Sequence, residues 1–467
     1  MFPMKTIAIR HPRSTTQPAS VCGGGEAYTD KYGSSSNGFK SRLVVQGIRF
    51  AIPISILTLA LVFTSVIMKP LSSPLSALLL LEASQVAATP IHKQAADYSG
   101  EVIVGIQALN RFWYRNNSGL WDNAWWNSGN ALTTIADYTL LQPQRASTID
   151  TAGTIRNTYI HAQQNNVATF KSQNHESGAV VTQDCINGAG SRCSPAKRAA
   201  QGFTNFLNEY YDDEGWWAMG LIHSYDATNN RDYLNAAVNI FRDMETGLGG
   251  PCHGGIYWSK DRNYVNAIAN ELYLTVAAAL GNRIPDQRDH YIDVAKNQWE
   301  WFKNSGMINS DNLVNDGLTD DCRNNGRDTW TYNQGVILGG LAELYKATGN
   351  YDYINRANAI ATAAMSKLVD GNGTLIEANK CDVGKSECSH DLEQFKGIFI
   401  RNLRYLHQVA PQDAYKNFIL SNADAVWSKN RNGDNKFGVA WDGPYFDASM
   451  MTDSSALDAL VAAAAVA

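Results

Sequence analysis

From residue 98 onwards, apolar residues recur at intervals of three and four positions, the spacing that lines one face of an α-helix. This period predicts twelve helices, which begin near Tyr98, Trp125, Ser147, Asp213, Asp232, Tyr264, Asp286, Thr331, Asp352, Asp391, Asp413 and Asp453. Aspartate is frequent at these starts, as expected of residues that cap the free amides of a first turn. No convincing alternating pattern competes, although short strands are expected in loops such as residues 254–258.

The predicted helices form pairs that repeat along the chain. The segments "YDATNNRDYLN" and "YKATGNYDYIN" share the pattern Y-x-A-T-x-N-x-D-Y-[L/I]-N, and weaker copies surround two further tyrosines. The aligned residues are Tyr233, Tyr291, Tyr353 and Tyr415, at intervals of about 60 residues, enough for two helices each. Six such pairs predict an all-α fold, an (α/α)6 barrel with alternating inner and outer helices, because closure buries faces that an open array would expose.

Polar and aromatic residues gather before or at the start of every second predicted helix. The segments "WDNAWWNSGN", "YYDDEGWW", "RDTWTYNQG" and "HDLEQFKG" are examples, whereas the intervening helices begin with ordinary capping and charged residues. In a toroid whose alternate helices lie inside, these ends meet at one mouth. The pattern therefore predicts a cleft there.

Two adjacent aspartates, Asp212 and Asp213, begin the fourth predicted helix between two pairs of aromatic residues. In the structural interpretation one caps the helix and the other is an exposed first-turn acid. The aromatic flanks and the predicted mouth favour a chemical role. The helix N-terminus favours one ionised carboxylate, while apolar neighbours and the adjacent charge raise the pKa of the other. Glycoside cleavage requires one ionised and one protonated carboxyl group, and a separation of about 5–5.5 Å leads to retention of anomeric configuration.

Other residues at the predicted mouth are weaker candidates. Each has two interpretations. The tryptophans either stack on sugars or fill a seam between helices, and the "TYNQG" segment either binds hydroxyl groups of the substrate or caps the eighth helix. Asn270 either lies at the mouth or forms hydrogen bonds between buried helices. The residues predicted to bind substrate are Trp125, Trp126, Asn127, Trp216, Trp217, Trp258, Asn270, Tyr332, Asn333 and Gln334. No metal site and no organic cofactor are predicted, because the Cys-His pairs lack matching ligands and the acid-rich loop 310–322 lacks EF-hand spacing.

Charge and composition narrow the class of protein. A net charge of −5 without a basic run argues against a nucleic-acid partner. The 12 Trp and 21 Tyr provide flat surfaces suited to sugars, although such residues also fill helical cores. We expect a monomer.

The first 88 residues differ from the remainder. Residues 1–67 combine a Gly- and Ser-rich, disordered segment with an apolar stretch over 50–68, and they are either an extension upstream of the true start or a Golgi-type signal anchor. Residues 68–88 have the basic, apolar and small-residue order of a secretory signal peptide. Residues 89–467 are predicted to be the barrel domain of a secreted protein.

Cysteine usage supports secretion. Six of the seven cysteines follow the predicted signal peptide, and the short loops favour the pairs Cys185–Cys193 and Cys381–Cys388, which leaves Cys252–Cys322. Sequons at Asn116 and Asn372 fit a glycosylated protein.

Several blocks resemble fungal members of glycoside hydrolase family 76. They are "YYDDEGWWAMGLIHSYD", "GGIYWSKDRNYVNAIANELYL", "NDGLTDDCRNNGRDTWTYNQGVILGGLAELY" and "SSALDAL", within a resemblance that extends over residues 98–460. The resemblance implies an (α/α)6 barrel and an endo-α-1,6-mannosidase that acts on mannan or mannooligosaccharides. It also implies that Asp212 is the nucleophile and Asp213 the acid/base of a retaining mechanism.

The sequence leaves two alternatives to a mannan hydrolase. Wall-anchored relatives, thought to be transglycosylases of cell-wall mannan or glycolipid-anchor glycans, end in a hydrophobic tail. The terminal "LDALVAAAAVA" lacks a polar spacer and is predicted to be the twelfth helix, which favours a freely secreted hydrolase. Transfer is still possible because a sugar can replace water as acceptor. The other alternative is a non-catalytic carbohydrate-binding wall protein.

Overall fold

Twelve long helices dominate the part of the chain that the computed structural model describes, residues 97–173, 180–189, 193, 202–383 and 388–467. They are α1 (Tyr98–Trp113), α2 (Trp125–Leu141), α3 (Thr151–Ala162), α4 (Tyr211–Thr228), α5 (Arg231–Met244), α6 (Ala267–Arg283), α7 (Arg288–Asn304), α8 (Thr331–Thr348), α9 (Tyr351–Lys367), α10 (Phe395–Val409), α11 (Asp413–Lys429) and α12 (Met450–Val466). They belong to one compact unit, Ala88–Ala467. The predicted boundaries at residues 67 and 88 lie outside the described residues.

The even-numbered helices form a closed inner ring. Each packs against the next, from α2 through α4, α6, α8 and α10 to α12, and α12 packs against α2. Their burial agrees with this position, since α6 is buried continuously over its first fifteen residues, from Ala267 to Gly281. The odd-numbered helices lie outside the ring and bury a single face. The predicted (α/α)6 barrel is confirmed.

The repeated motif marks the outer helices. Tyr233, Tyr291, Tyr353 and Tyr415 lie in the first turn of α5, α7, α9 and α11, and all four are buried. The asparagine of the strong copies caps its helix, because the side chains of Asn230 and Asn350 each accept a 3.0 Å hydrogen bond from the amide two residues later. The repeat thus combines a helix start with an anchor into the core.

Glycines allow neighbouring inner helices to pack at close range. A Cβ atom at Gly397 of α10 would lie 2.5 Å from the Cα of Ser455 in α12, and one at Gly335 of α8 would lie 2.6 Å from the Cα of Phe399. Any larger residue would push these backbones apart.

A buried ionic network closes the ring at the C-terminal ends of the inner helices. The carboxylate of Asp137 accepts hydrogen bonds from Arg404 and from the Tyr405 hydroxyl, and lies 2.7 Å from Nδ1 of His223. Arg401 pairs with Asp458 at 3.1 Å in the same region. Open space for a ligand therefore lies at the N-terminal ends.

Several predicted helix starts differ from the structure by a few residues. The largest shifts, of four residues, are in α3 and α10. α3 begins at Thr151 rather than Ser147, because a separate short helix covers Pro143–Ser147 and Asp150 caps α3 by accepting from the amide of Gly153. Likewise α10 begins at Phe395 after a 3-10 turn, and α12 begins at Met450 behind the Ser449 cap. The terminal apolar run forms α12, as predicted.

Two hairpins of strands interrupt the helices. The short one pairs β1 (Tyr114–Arg115) with β2 (Leu120–Trp121), and the long one pairs β3 (Val167–Gln173) with β4 (Val180–Ile186) in antiparallel register. The sequence did not predict the long hairpin. Residues 254–258, where a strand was expected, form only an isolated bridge between Leu248 and Ile256.

All three predicted disulfides are present, Cys185–Cys193, Cys252–Cys322 and Cys381–Cys388. The first joins the end of β4 to Cys193, and the second joins two loops on either side of α6 and α7. None of the described helices combines the length and the apolar character needed to cross a membrane.

Candidate active site

A narrow cleft opens at the N-terminal ends of the inner helices. Inner helices, the long hairpin and the loops between helices all contribute to its wall. Its principal side chains are Trp126, Trp216, Tyr332 and Phe395 from the helices, Lys171, Gln173 and Val180 from the hairpin, and Asp212, Trp258, Tyr264, Asn266, Asp316, Trp330 and Asp391 at helix starts and in loops. The starts of α2, α4, α6, α8 and α10 therefore meet at one cleft, as predicted, whereas the start of α12 does not line it.

The two adjacent aspartates lie in the first turn of α4, at its second and third positions. The N-cap is Tyr210, whose side chain makes no capping bond, so neither aspartate caps the helix. Both are buried: Asp212 is 6% exposed and Asp213 is fully enclosed. The interpretation of the pair as a cap and an exposed first-turn acid does not fit this placement.

The two carboxyl groups have different surroundings. Asp212 lines the cleft, and its Oδ2 accepts a 3.0 Å hydrogen bond from Nε1 of Trp258. Asp213 points into the protein, where Oδ2 accepts from the Asn208 amide at 2.6 Å and Oδ1 accepts from Lys171 at 2.5 Å. Burial raises the pKa of Asp213 well above its usual range, against the opposing effect of Lys171, and the nearby charge of Asp212 adds to the rise. This asymmetry is what acid–base chemistry with two carboxyl groups needs.

Lys171 is the principal residue of this site that sequence reasoning missed. It projects from β3, its side chain is only 4% exposed, and its Nζ also lies 3.5 Å from Oδ2 of Asp212. Its backbone amide donates to the hydroxyl of Tyr210 at 3.1 Å, which joins the hairpin to the start of α4. The lysine of "VATFKSQ" carried no motif, and recognising the strand would have been the only route to it.

Two further carboxyl groups lie in the cleft wall. Asp391 accepts hydrogen bonds from Nε1 of Trp126 at 3.2 Å and from the Thr182 hydroxyl at 2.9 Å, and burial raises its pKa to about 6. Asp316 accepts a 2.5 Å hydrogen bond from the hydroxyl of Tyr264. Both are within reach of a ligand in the cleft, and neither was singled out from the sequence.

Four predicted substrate-binding residues line the cleft. Trp126 and Trp216 lie with ring centroids 5.9 Å apart, and Tyr332 follows at 6.3 Å from Trp216. Trp258 is the fourth, and its ring lies 5.0 Å from that of Tyr210. These rings give the cleft the flat, apolar surface that suits a sugar.

Four others are in the core, which contradicts their predicted role. Trp125 and Trp217 are fully buried with ring centroids 5.0 Å apart, so neither ring has a free face for a sugar. Asn270 uses its amide to bond Ile256 and the backbone of Asn266. Gln334 bonds both backbone groups of Val314. These amides satisfy buried backbone groups instead of binding ligand.

The last two predicted residues are buried beside the cleft. Asn127 donates to Gln394 at 2.9 Å and lines a neighbouring polar depression that shares Asp391 with the cleft. Asn333 is fully buried and neither of its amide atoms has a partner within the described residues. Neither contributes to the cleft wall itself. Among the described residues, no group of three or more His, Cys, Asp or Glu side chains is arranged to hold a metal ion.

A helical barrel with an aromatic cleft and unequal carboxyl groups at its floor has the architecture of a glycoside hydrolase. The sequence profile of glycosyl hydrolase family 76 matches residues 101–466. The chain belongs to this family, as the sequence blocks predicted.

Curated relatives are fungal. The chain is 25% identical over 283 residues to mannan endo-1,6-alpha-mannosidase DFG5 of Candida albicans, covering 55% of this chain and 61% of that protein. It is 27% identical over 277 residues to mannan endo-1,6-alpha-mannosidase DCW1 of Saccharomyces cerevisiae, covering 54% and 59%. The matches thus span about three-fifths of the length of these relatives.

Solved structures share the fold. An inactive variant of the alpha-1,6-mannanase GH76A of Salegentibacter sp. HEL1_6, bound to alpha-1,6-mannotetrose, superposes with a TM-score of 0.62 at 18% identity, covering 80% of this chain and all of that one. Dfg5 of Chaetomium thermophilum, bound to glucosamine, superposes with a TM-score of 0.61 at 18% identity, covering 79% and 90%.

Proposed function

We propose that this protein is a retaining endo-α-1,6-mannosidase that cleaves the backbone of mannan. The observation that carries the proposal is the unequal environment of the adjacent aspartates, one lining an aromatic cleft and the other buried behind it with a raised pKa. The names of the fungal relatives support the substrate class. Further support comes from the Salegentibacter mannanase, whose inactive variant has two consecutive aspartates replaced.

The proposed reaction has two steps. In the first, a carboxylate oxygen of Asp212 bonds to the anomeric carbon, the bond from that carbon to the leaving sugar breaks, and Asp213 gives its proton to the leaving oxygen. In the second, Asp213 accepts a proton from water, the water oxygen bonds to the anomeric carbon, and the ester to Asp212 breaks. Asp212 lines the cleft, which supports its role as the nucleophile, and its Oδ1 is buried without a hydrogen-bond partner among the described residues.

Transfer to another sugar is a second candidate activity. The polar depression next to the cleft shares Asp391 with it and is lined by Asn123, Thr182 and Ser449. Its hydroxyl and amide groups can hydrogen-bond the hydroxyl groups of a sugar acceptor. Transfer needs the same covalent intermediate, so the choice between the two activities depends on which acceptor arrives.

Secretion as a monomer is the proposed setting. Three disulfides favour an oxidising compartment, and the sequon residues Asn116 and Asn372 are both exposed. N-terminal sequencing of protein from culture medium should give a start near residue 89. A membrane-bound product that retains residues 50–68 would instead favour the Golgi-type anchor, and light scattering would test the monomer.

Product analysis tests the activity directly. The purified protein should shorten a defined α-1,6-mannooligosaccharide, and the first product released should keep the α configuration in NMR spectra. Adding a second sugar acceptor separates the two activities, because transfer produces longer chains. No change in chain length with or without acceptor, at any acidic to neutral pH, would eliminate both.

A variant of the proposed nucleophile tests the alternative of a binding protein without turnover. Asp212→Asn should keep affinity for the oligosaccharide and lose all cleavage, because an amide cannot form the ester. If wild-type protein binds mannan and never cleaves it, the non-catalytic alternative is correct. If Asp212→Asn cleaves normally, the nucleophile is another residue.

A further inference from the structure

We propose that Lys171 is a positioning residue that holds the two aspartates in register and stabilises negative charge as it moves between them. This inference rests on the proposed function, since it assigns Lys171 a role in the chemistry of Asp212 and Asp213. It concerns a residue outside α4, on a hairpin that lies outside the twelve helices of the barrel.

The ammonium group of Lys171 lies close to both aspartates. Nζ of Lys171 lies 2.5 Å from Oδ1 of Asp213 and 3.5 Å from Oδ2 of Asp212, so one ammonium group contacts both carboxyl groups. Aromatic rings also surround it, with the ring centroids of Tyr210 at 4.6 Å and Trp258 at 5.6 Å. A lysine enclosed in this way has little contact with bulk water, and its charge acts on the pair at close range.

The side chain of Lys171 is almost completely buried. Lysine is almost never fully buried without a partner, because removal of the ammonium group from water is costly. Burial alone would lower the pKa of Lys171, but Asp212 and Asp213 outweigh it and raise the pKa above the usual range. The two aspartates therefore stabilise the charged form of Lys171.

Negative charge moves between the two aspartates during the proposed reaction. Formation of the ester removes the negative charge from Asp212, and loss of a proton places negative charge on Asp213. The second step reverses both changes. A single ammonium group in contact with both carboxyl groups favours each state without moving, which is the arrangement of a preorganised electrostatic catalyst.

Other charged and titratable groups also face this cluster. Asp391 lies across the cleft and Asp184 lies on β4, and both interact electrostatically with Lys171. Tyr210 contacts it from the start of α4. Because the pKa values of Asp184 and Asp391 also respond to the loss of Lys171, a shift in the pH profile of such a variant is assigned to Asp213 by NMR titration of that residue.

The experiment compares Lys171→Met, Lys171→Gln and Lys171→Arg with wild type on a defined α-1,6-mannooligosaccharide. Met and Gln should lower kcat about 10²-fold or more with a much smaller change in KM, because the first step moves negative charge from Asp212, 3.5 Å from the ammonium group, to Asp213, 2.5 Å from it. Without the ammonium group the pKa of Asp213 rises further, so the alkaline limb of the kcat profile should move to higher pH. Arg keeps the charge and should recover most of kcat.

Arg283 provides a matched control for the loss of a buried ion pair. It bridges Asp226 and Glu343 at 2.6 and 3.2 Å at the C-terminal end of α6, away from the cleft. Arg283→Met should lower Tm and leave kcat and the pH profile unchanged. If Met at position 171 prevents folding, the Gln and Arg variants still decide, since a Gln variant as active as the Arg variant shows that charge is not required.

A measurement without substrate separates this inference from the proposed function. Selective ¹³C labelling of aspartate, with Asp213→Asn to assign the signal, gives the pKa of Asp213 by NMR titration in wild type and Lys171→Gln. A higher pKa in the variant supports the role of Lys171 even if no mannan is cleaved. An unchanged pKa, or a variant that differs from wild type only in Tm, would overturn the proposal.

Discussion

The indole nitrogen of Trp258 donates a 3.0 Å hydrogen bond to Oδ2 of Asp212, while Oδ1 of the same carboxyl group has no partner among the described residues. One oxygen is thus fixed by a rigid donor and the other is uncommitted. The hydrogen bond determines the rotation of the carboxyl group about its last bond. Trp258 therefore acts on the proposed nucleophile as well as on the shape of the cleft.

Trp258→Phe should lower kcat by about tenfold or more, because a hydrogen bond to a charged group typically contributes 1.5–3 kcal/mol, and should change KM less. The phenyl ring preserves most of the apolar wall. Trp299→Phe is the control, since Trp299 is buried on the outer helix α7. It should lose stability without loss of kcat. Equal kcat in the two variants would show that the indole donor does not matter.

Asp213→Asn should lose about 10²- to 10⁴-fold in kcat on mannooligosaccharides, the usual contribution of a general acid. An aryl α-mannoside with an acidic phenol as leaving group needs no proton, so the first step should recover on that substrate. Asp212→Asn is the comparison and should remain inactive on both. If the aryl substrate rescues Asp212→Asn and not Asp213→Asn, the two roles are reversed.

The helical barrel was predictable because its two kinds of helix have different sequence patterns. Outer helices repeat a capping asparagine and an anchoring tyrosine, as Asn230 and Tyr233 do in α5. The first residue of each helix was less predictable, because an aspartate near a helix start can be either a cap or a buried acid. Asp150 caps α3, whereas Asp213 lies within the first turn of α4 and caps nothing.

The contents of the cleft were predicted in part. Adjacent helical residues point about 100° apart, so only one tryptophan of each pair can face the cleft. Trp126 and Trp216 line the cleft and face each other, whereas Trp125 and Trp217 pack against each other in the core. Lys171 was missed for a different reason: β3 begins with three consecutive buried residues, so it lacks the alternation that identifies a strand.

The double variant Cys252→Ser/Cys322→Ser should destabilise the protein more than Cys381→Ser/Cys388→Ser. The first disulfide closes a sequence separation of 70 residues and the second one of 7. Loop-closure entropy gives losses of about 4 and about 2.5 kcal/mol respectively. Urea unfolding would measure both. A larger loss for the short loop would show that local strain, and not chain entropy, dominates.

Glu271→Gln should stabilise the protein increasingly as the pH rises. Glu271 is fully buried in α6, neither carboxyl oxygen has a partner among the described residues, and burial alone raises its pKa well above the usual range. The folded state therefore keeps a proton that the unfolded state loses. The contribution of this group to stability is complete below its unfolded pKa. That contribution falls as the pH rises through its folded pKa, by up to about 1.4 kcal/mol per pH unit.

Glutamine preserves the shape and does not titrate. Its advantage in Tm over wild type should be small near about pH 5 and larger near about pH 8. Glu300→Gln is the control, because Glu300 lies on the exposed face of α7 in a one-turn pair with Lys303 and such pairs contribute little. An advantage of Glu271→Gln that is the same at both pH values would show that Glu271 is not protonated in the folded protein.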